Sequence, residues 1–141
     1  MWSEVYSGIV EGLKSKLEAL SVNGTKVFSA VYVGRKHMPE QFPCAYILPV
    51  TVRGTPASPQ QTKYEMTFDI HVISRHPGSE EGFTDVVEKL GNIERMLVGD
   101  RSFGGLVENL EVDRIDLEVE RPTVRERHEG RLRVRFERWL A

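Results

Sequence analysis

RHEGRLRVRFERWL, residues 127–140, is the stretch on which the reading of the fold turns. Arg131, Arg133 and Arg135 alternate with Leu132, Val134 and Phe136. A period of two is the mark of a half-buried strand. Just upstream, RIDLEVE (114–120) alternates in the same way, with Ile115, Leu117 and Val119 against Asp116, Glu118 and Glu120. Folding the two segments as a hairpin around residues 125 and 126 sets Glu120 opposite Arg131, Glu118 opposite Arg133 and Asp116 opposite Arg135. The two apolar rows then share the other face. A slip of one residue would mix apolar with charged side chains on both faces, so the face assignment is strongly specified. Each cross-strand pair of opposite charge adds about 0.2–1 kcal/mol. Neutralised this way, the arginine row reads as a solvent-side ladder and not as a phosphate groove. A groove for single-stranded nucleic acid interleaves aromatics with its cations. Here Phe136 lies on the apolar face and Trp139 near the end of the strand.

The elements that cover this hairpin lie upstream. Trp2, Val5, Tyr6, Ile9, Val10, Leu13, Leu17 and Leu20 follow helical spacing and predict a helix over 2–20, stopped by Asn23-Gly24. VFSAVYV (27–33) predicts a strand, as does AYILPVTV (45–52), where Pro49 marks an edge or a bulge. RGTPASPQQT (53–62) is made of turn formers and predicts a long mobile hairpin loop. In residues 63–73, Tyr64, Met66, Phe68, Ile70 and Val72 face one way and Glu65, Thr67, Asp69 and His71 the other. After RHPGSEEG (75–82), the residues Phe83, Val86, Val87, Leu90, Ile93 and Leu97 predict a second helix, with Ser79 as its N-cap. GDRSFGG (99–105) ends it, and strands at about 111–120 and 131–139 close the chain. The expected fold is therefore one α+β domain over 1–141, in the order α-β-β-β-α-β-β. It is a mostly antiparallel sheet of about five strands, with two main helices on one face.

The totals agree with that picture. A chain of 141 residues suits one domain and needs no disulfide or metal to fold. A formal net charge of −2 is not built to attract a polyanion. The lone cysteine, Cys44, rules out an internal disulfide and fits a reducing compartment. The opening MWSEVYSGIVEGLKSKLEAL lacks the pattern of a signal peptide, and no stretch has the apolar length of a membrane helix, so a cytoplasmic protein is expected.

Signals for chemistry are weak. His37, His71, His76 and His128 form no HExxH and have no cysteine at metal spacing. GDRSFGG lacks the consecutive Gly-Lys-Ser/Thr of a P-loop, and no GxGxxG occurs. Asp69 and His71 share a strand face, which leaves open a small cytoplasmic enzyme or ligand-binding domain with a pocket beneath the sheet, though a solvated pair is the simpler reading. Cys44 reads as a small buried apolar residue. No catalytic residue, cofactor or metal is expected. What remains is surface: the segment 53–62 and the tip RPTVRERHEG (121–130).

The order and texture of these segments resemble a known family. FPCAYILPV (42–50), the Pro/Gln-bearing hairpin, YEMTFDIHVISR (64–75), VVEKLGNIERML (86–97) and the closing RLRVRFERW (131–139) are similar to the tail-terminator, or tail-completion, proteins of long-tailed bacteriophages and proviruses. The resemblance implies a virion structural protein and not an enzyme. It implies a homohexameric ring on the head-proximal end of the tail, which stops growth of the tail tube and offers a docking surface to the head. The implied partners are copies of itself, a tail-tube protein and a head connector protein. DNA passes through the ring without being specifically bound, and no membrane is involved. The implied location is the host cytoplasm during assembly and then the virion. By the same resemblance, Arg53, Gln60 and Gln61 in the first surface segment, Lys63 just after it, and Arg121, Arg125 and Arg127 in the second are the candidate interface residues.

Overall fold

The first apolar stripe forms α1, Trp2–Ala19, in the structure, a computed structural model that describes residues 1–34, 41–117 and 126–141. Val5, Ile9, Leu13 and Leu17, one helical turn apart, are its buried residues. The helix has already ended when the chain reaches Asn23-Gly24. These two take positive φ (53° and 79°) and make the turn between β1 (Ser21–Val22) and β2 (Thr25–Lys26). Positive φ at both central residues is what a two-residue hairpin needs, and Asn-Gly supplies it at little steric cost. The predicted helix stop is thus a tight hairpin turn.

The main sheet is built from β3 (Ala30–Val33), β4 (Cys44–Ser58), β5 (Gln61–Arg75), β6 (Asn109–Leu117) and β7 (Arg127–Leu140), in the spatial order β3-β4-β5-β7-β6. Only β3 with β4 is parallel; the other three pairings are antiparallel. A second helix, α2, spans Ser79–Val98, with Gly78 and not Ser79 at the N-cap position. α1 packs over β3 and β4, and α2 over β5, β6 and β7. This is the expected α+β architecture: a five-stranded, mostly antiparallel sheet with two helices packed on it. Among the described residues, no helix is long and apolar enough to cross a membrane.

Period-two alternation sorts the strands into two faces. Toward the helices point Ile47, Met66, Phe68, Ile70, Leu132, Val134 and Phe136, all with zero exposure. They join Val86, Leu90, Ile93 and Leu97 of α2 in one core, while Val87 stays half exposed. The Phe136 ring meets Phe68 and Phe103 edge-on, at 5.8 and 5.2 Å between centroids. A smaller cluster of Cys44, Tyr46 and Ile73 lies apart from this core, with Tyr32 and Phe42 against it.

Two expectations about strands change. The segment 53–62 is not a loop. β4 and β5 stay paired out to Ser58↔Gln61, which leaves only Pro59 and Gln60 to turn the chain. Turn formers are tolerated there because β4 lies at the border of the sheet. β3 pairs only with Cys44–Ile47, so beyond Ile47 a proline without an N–H interrupts no ladder on that side. Pro49 does sit beside a register shift, between Pro49 and Thr51. At the other end, VFSAVYV is a strand only over Ala30–Val33.

α2 packs closely against β7 at Gly130. A Cβ there would lie 2.6 Å from Val86 Cγ1 and 2.7 Å from Leu90 Cδ1. Replacing Gly130 with Ala is expected to lower stability by about 1–3 kcal/mol, the usual cost of overpacking. Urea denaturation of the variant beside the parent protein measures it.

Candidate functional site

β7 lies between β5 and β6, so its arginines reach carboxylates on both neighbours. Arg133 grips Asp69 of β5 through two bonds, Nε to Oδ1 at 2.8 Å and Nη2 to Oδ2 at 3.0 Å. Asp69 is only 6% exposed. Two parallel N–H···O bonds from one guanidinium make this the best-formed ion pair on the face. Arg131 binds Asp116 of β6 at 2.7 Å and approaches Asp69 at 3.9 Å. Arg114 closes on the same Asp116 oxygen at 2.7 Å. Arg135 sits among four carboxylates: Glu111 at 2.8 Å, Asp113 at 3.2 Å, and Glu65 and Glu137 at 3.5 Å. The row is thus a two-sided network.

The register differs from the sequence expectation. Asp116 stands opposite Arg131 and not Arg135, and Glu111 stands opposite Arg135. From Arg114 to Leu117 the pairing is shifted by four residues, an even number, which leaves the faces of Ile115, Asp116 and Leu117 unchanged. Near Asp113 one extra residue enters β6, between the pairs Val112↔Val134 and Arg114↔Arg133. That bulge lets the neighbours Asp113 and Arg114 both reach charged partners of the same network. Glu118 and Glu120, assigned to Arg133 and Arg131, lie outside the described residues. Arg121, Arg125 and His37 do as well. The apolar row of β6 is also less covered than expected, with Ile115 43% and Leu117 51% exposed on the border strand.

The hydrogen bonds from Arg131 and Arg114 hold the Asp116 carboxyl below its ordinary pKa, and the Asp116 and Asp69 carboxylates raise Arg131 and Arg133 respectively. A second acid is depressed on α2. Burial by itself would raise Asp85, but hydrogen bonds from Lys89 (Nζ to Oδ1, 2.6 Å) and Ser74 outweigh it. His76 Nε2 lies 3.5 Å from the same carboxylate. Ser74 is buried, so Asp85 ties the second turn of α2 to the end of β5. His128 is 1% exposed, packed edge-on against Phe83 at 5.2 Å, with Nε2 3.4 Å from the His76 carbonyl oxygen.

The other candidates are spread along the sheet. Arg53 is exposed on β4 and makes no ion pair among the described residues; Gln60 is in the turn and Gln61 opens β5. Lys63 reaches Glu137 at 3.6 Å. Arg127 is at the far end of β7, its guanidinium 5.7 Å from the Phe42 ring centre beside that of Arg75 at 5.5 Å. Lys63 pairs with Trp139 while Arg127 pairs with Arg75, so the two sets stand at opposite ends of β5, roughly 40 Å apart at 3.4 Å per residue. Asp69 and His71 lie together as expected, but both are buried, and the Asp69 carboxylate is held by arginines. A groove of about 240 Å³ lies elsewhere, lined by Tyr6, Ser7, Val10, Glu11, Val33, Ile47 and Pro49. Cys44 is buried, and burial pushes its thiol up to about 11. Among the described residues no group of three or more His, Cys, Asp or Glu is placed to hold a metal ion. No protein-family model matches the chain, and no curated protein matches it.

Two outcomes follow from the network. Asp69→Ala leaves Arg133 without its fork and is expected to lower stability by about 1.5–3 kcal/mol, whereas Glu111→Ala, at an exposed carboxylate, costs less than about 1 kcal/mol. Chemical denaturation of both variants separates them. Asp116 and Asp85 have folded pKa values below their unfolded ones. Their contribution is therefore present above the ordinary carboxylate pKa and is lost as pH falls through the lower folded values. Thermal melts should show stability dropping below about pH 4, and the double variant Asp85→Asn, Asp116→Asn should flatten that acid limb.

Proposed function

We propose that the chain is a structural assembly protein of the tail-terminator kind, acting as a ring that caps a phage tail tube and receives the head. The observation that carries this reading is the arm formed by β4 and β5. Every residue from Pro49 to Gln61 is exposed, yet the segment stays in strand pairing almost to its tip. β5 is paired along its length with β7, so the arm is braced from one side. An exposed border strand held in the sheet, with its turn at the tip, presents contacts with little ordering cost on binding, which suits repeated docking between proteins. Arg53, Gln60, Gln61 and Lys63 lie on it, and Arg127 lies at the opposite end of the long strands. A subunit with contact groups at two ends can meet the tube at one and the head connector at the other.

The arginine network fits passage of DNA through a lumen. Arg114, Arg131, Arg133, Arg135 and Lys63 interact with six carboxylates: Glu65, Asp69, Glu111, Asp113, Asp116 and Glu137. With its cations matched, this surface lacks the surplus positive field that grips phosphates. Light scattering behind size-exclusion chromatography is expected to show the mass of a hexamer as concentration rises. Electron microscopy is expected to place the protein at one end of purified tail tubes. A chain that stays monomeric up to about 1 mM and does not bind tubes overturns the proposal.

A further inference from the structure

We infer that copies of this chain join edge to edge, with β6 of one copy adding to the free side of β4 in the next. The inference rests on the ring reading above and names its subunit contact. The direction of the strands makes the first argument. Reading across the sheet, β4, β5, β7 and β6 alternate in direction, so β4 and β6 run opposite ways within one subunit. A second copy placed beside the first in the same orientation therefore brings its β6 antiparallel to β4, with all helices on the same side. The two patches differ, so the contact is head-to-tail, the kind that closes into a ring.

The lengths and side chains agree with it. Among the described residues, β4 is unpaired on its outer side from Leu48 to Ser58, and β6 is unpaired on its outer side from Asn109 to Leu117. In the antiparallel arrangement, the Leu117 end of β6 lies at the Pro49 end of β4. Ile115 and Leu117 share the helix side of the sheet with their partners Leu132 and Gly130, and both are about half exposed. They arrive at the groove lined by Val10, Val33 and Pro49. Four residues further along, the same register sets Asp113 opposite Arg53, with Glu111 beside it. Arg53 is the one charged residue of β4 and has no ion pair among the described residues, and the Glu111 side chain is 49% exposed. One alignment thus serves both the apolar and the charged ends. Pro49 and Pro56 lack donors, and each strand carries a bulge, which limits the contact to a short ladder and discourages pairing with arbitrary strands.

Charge reversal tests the contact. Arg53→Glu alone and Glu111→Arg alone are each expected to weaken self-association about tenfold in sedimentation or light-scattering titrations, and the double reversal to restore it. Leu117→Lys, at a half-exposed position, is expected to weaken association while leaving the thermal melt unchanged. If the parent protein associates and all three single variants associate equally well, the edge assignment is wrong while the ring reading stands. A parent protein that never associates overturns the edge assignment, and one that also fails to bind tubes overturns the ring reading with it.

Discussion

The ladder between β5 and β7 is the constraint on which the rest of the molecule depends. It runs without a register shift from Thr62↔Leu140 to Arg75↔Arg127. Joining segments more than fifty residues apart has a large cost in chain entropy, which must be repaid by what the pairing buries. On one face the repayment is apolar, with Phe68, Ile70, Leu132, Val134 and Phe136 sealed under the helices. On the other it is ionic, through the fork from Arg133 to Asp69. Each face needs the same register, so the two reinforce one another. A slip by one residue would put guanidiniums under α2 and leave the phenyl rings in water.

From that ladder the other features follow in order. β7 in the middle of the sheet gives its arginines acids on both sides, which is why none of the three is left bare. It also brings Gly130 under α2, where the missing side chain sets how closely helix and sheet can approach. β5 held fast by β7 gives β4 something firm to lie against beyond the end of β3, so that segment stays in strand pairing as an exposed border. The two borders of the sheet are then β3 with the distal part of β4 on one side and β6 on the other, and β4 and β6 run in opposite directions.

Much of this was legible in the residues, and the errors have a common physical origin. Period-two alternation assigned the faces of β5 and β7 correctly, because a half-buried strand leaves no choice of face. It did not assign the partner register of β6, because a shift by two or four residues keeps every side chain on its face. The bulge did leave a mark: Asp113 and Arg114 are adjacent charges that break the alternation of Leu110, Val112 and Ile115. The bond from Asp69 to Arg133 joins residues 64 positions apart, and no local pattern announces it. The arm was read as a loop because Gly54, Pro56 and Pro59 are turn formers in isolation. Their tolerance comes from lying on a border strand, a property of the whole sheet.

Cys44 illustrates how such packing reaches beyond architecture. It sits between Ala30 of β3 and Ile73 of β5, fully enclosed, with a thiol pushed up to about 11. At neutral pH only about one molecule in ten thousand carries the nucleophilic thiolate, and that sulfur is shielded from reagents. An alkylating dye therefore reacts only when the packing around Cys44, from Ala30, Tyr32, Phe42, Tyr46 and Ile73, opens. The chain carries its own single-site reporter of local opening at the corner where β3 joins the sheet, and the rate of labelling becomes a clock for that motion.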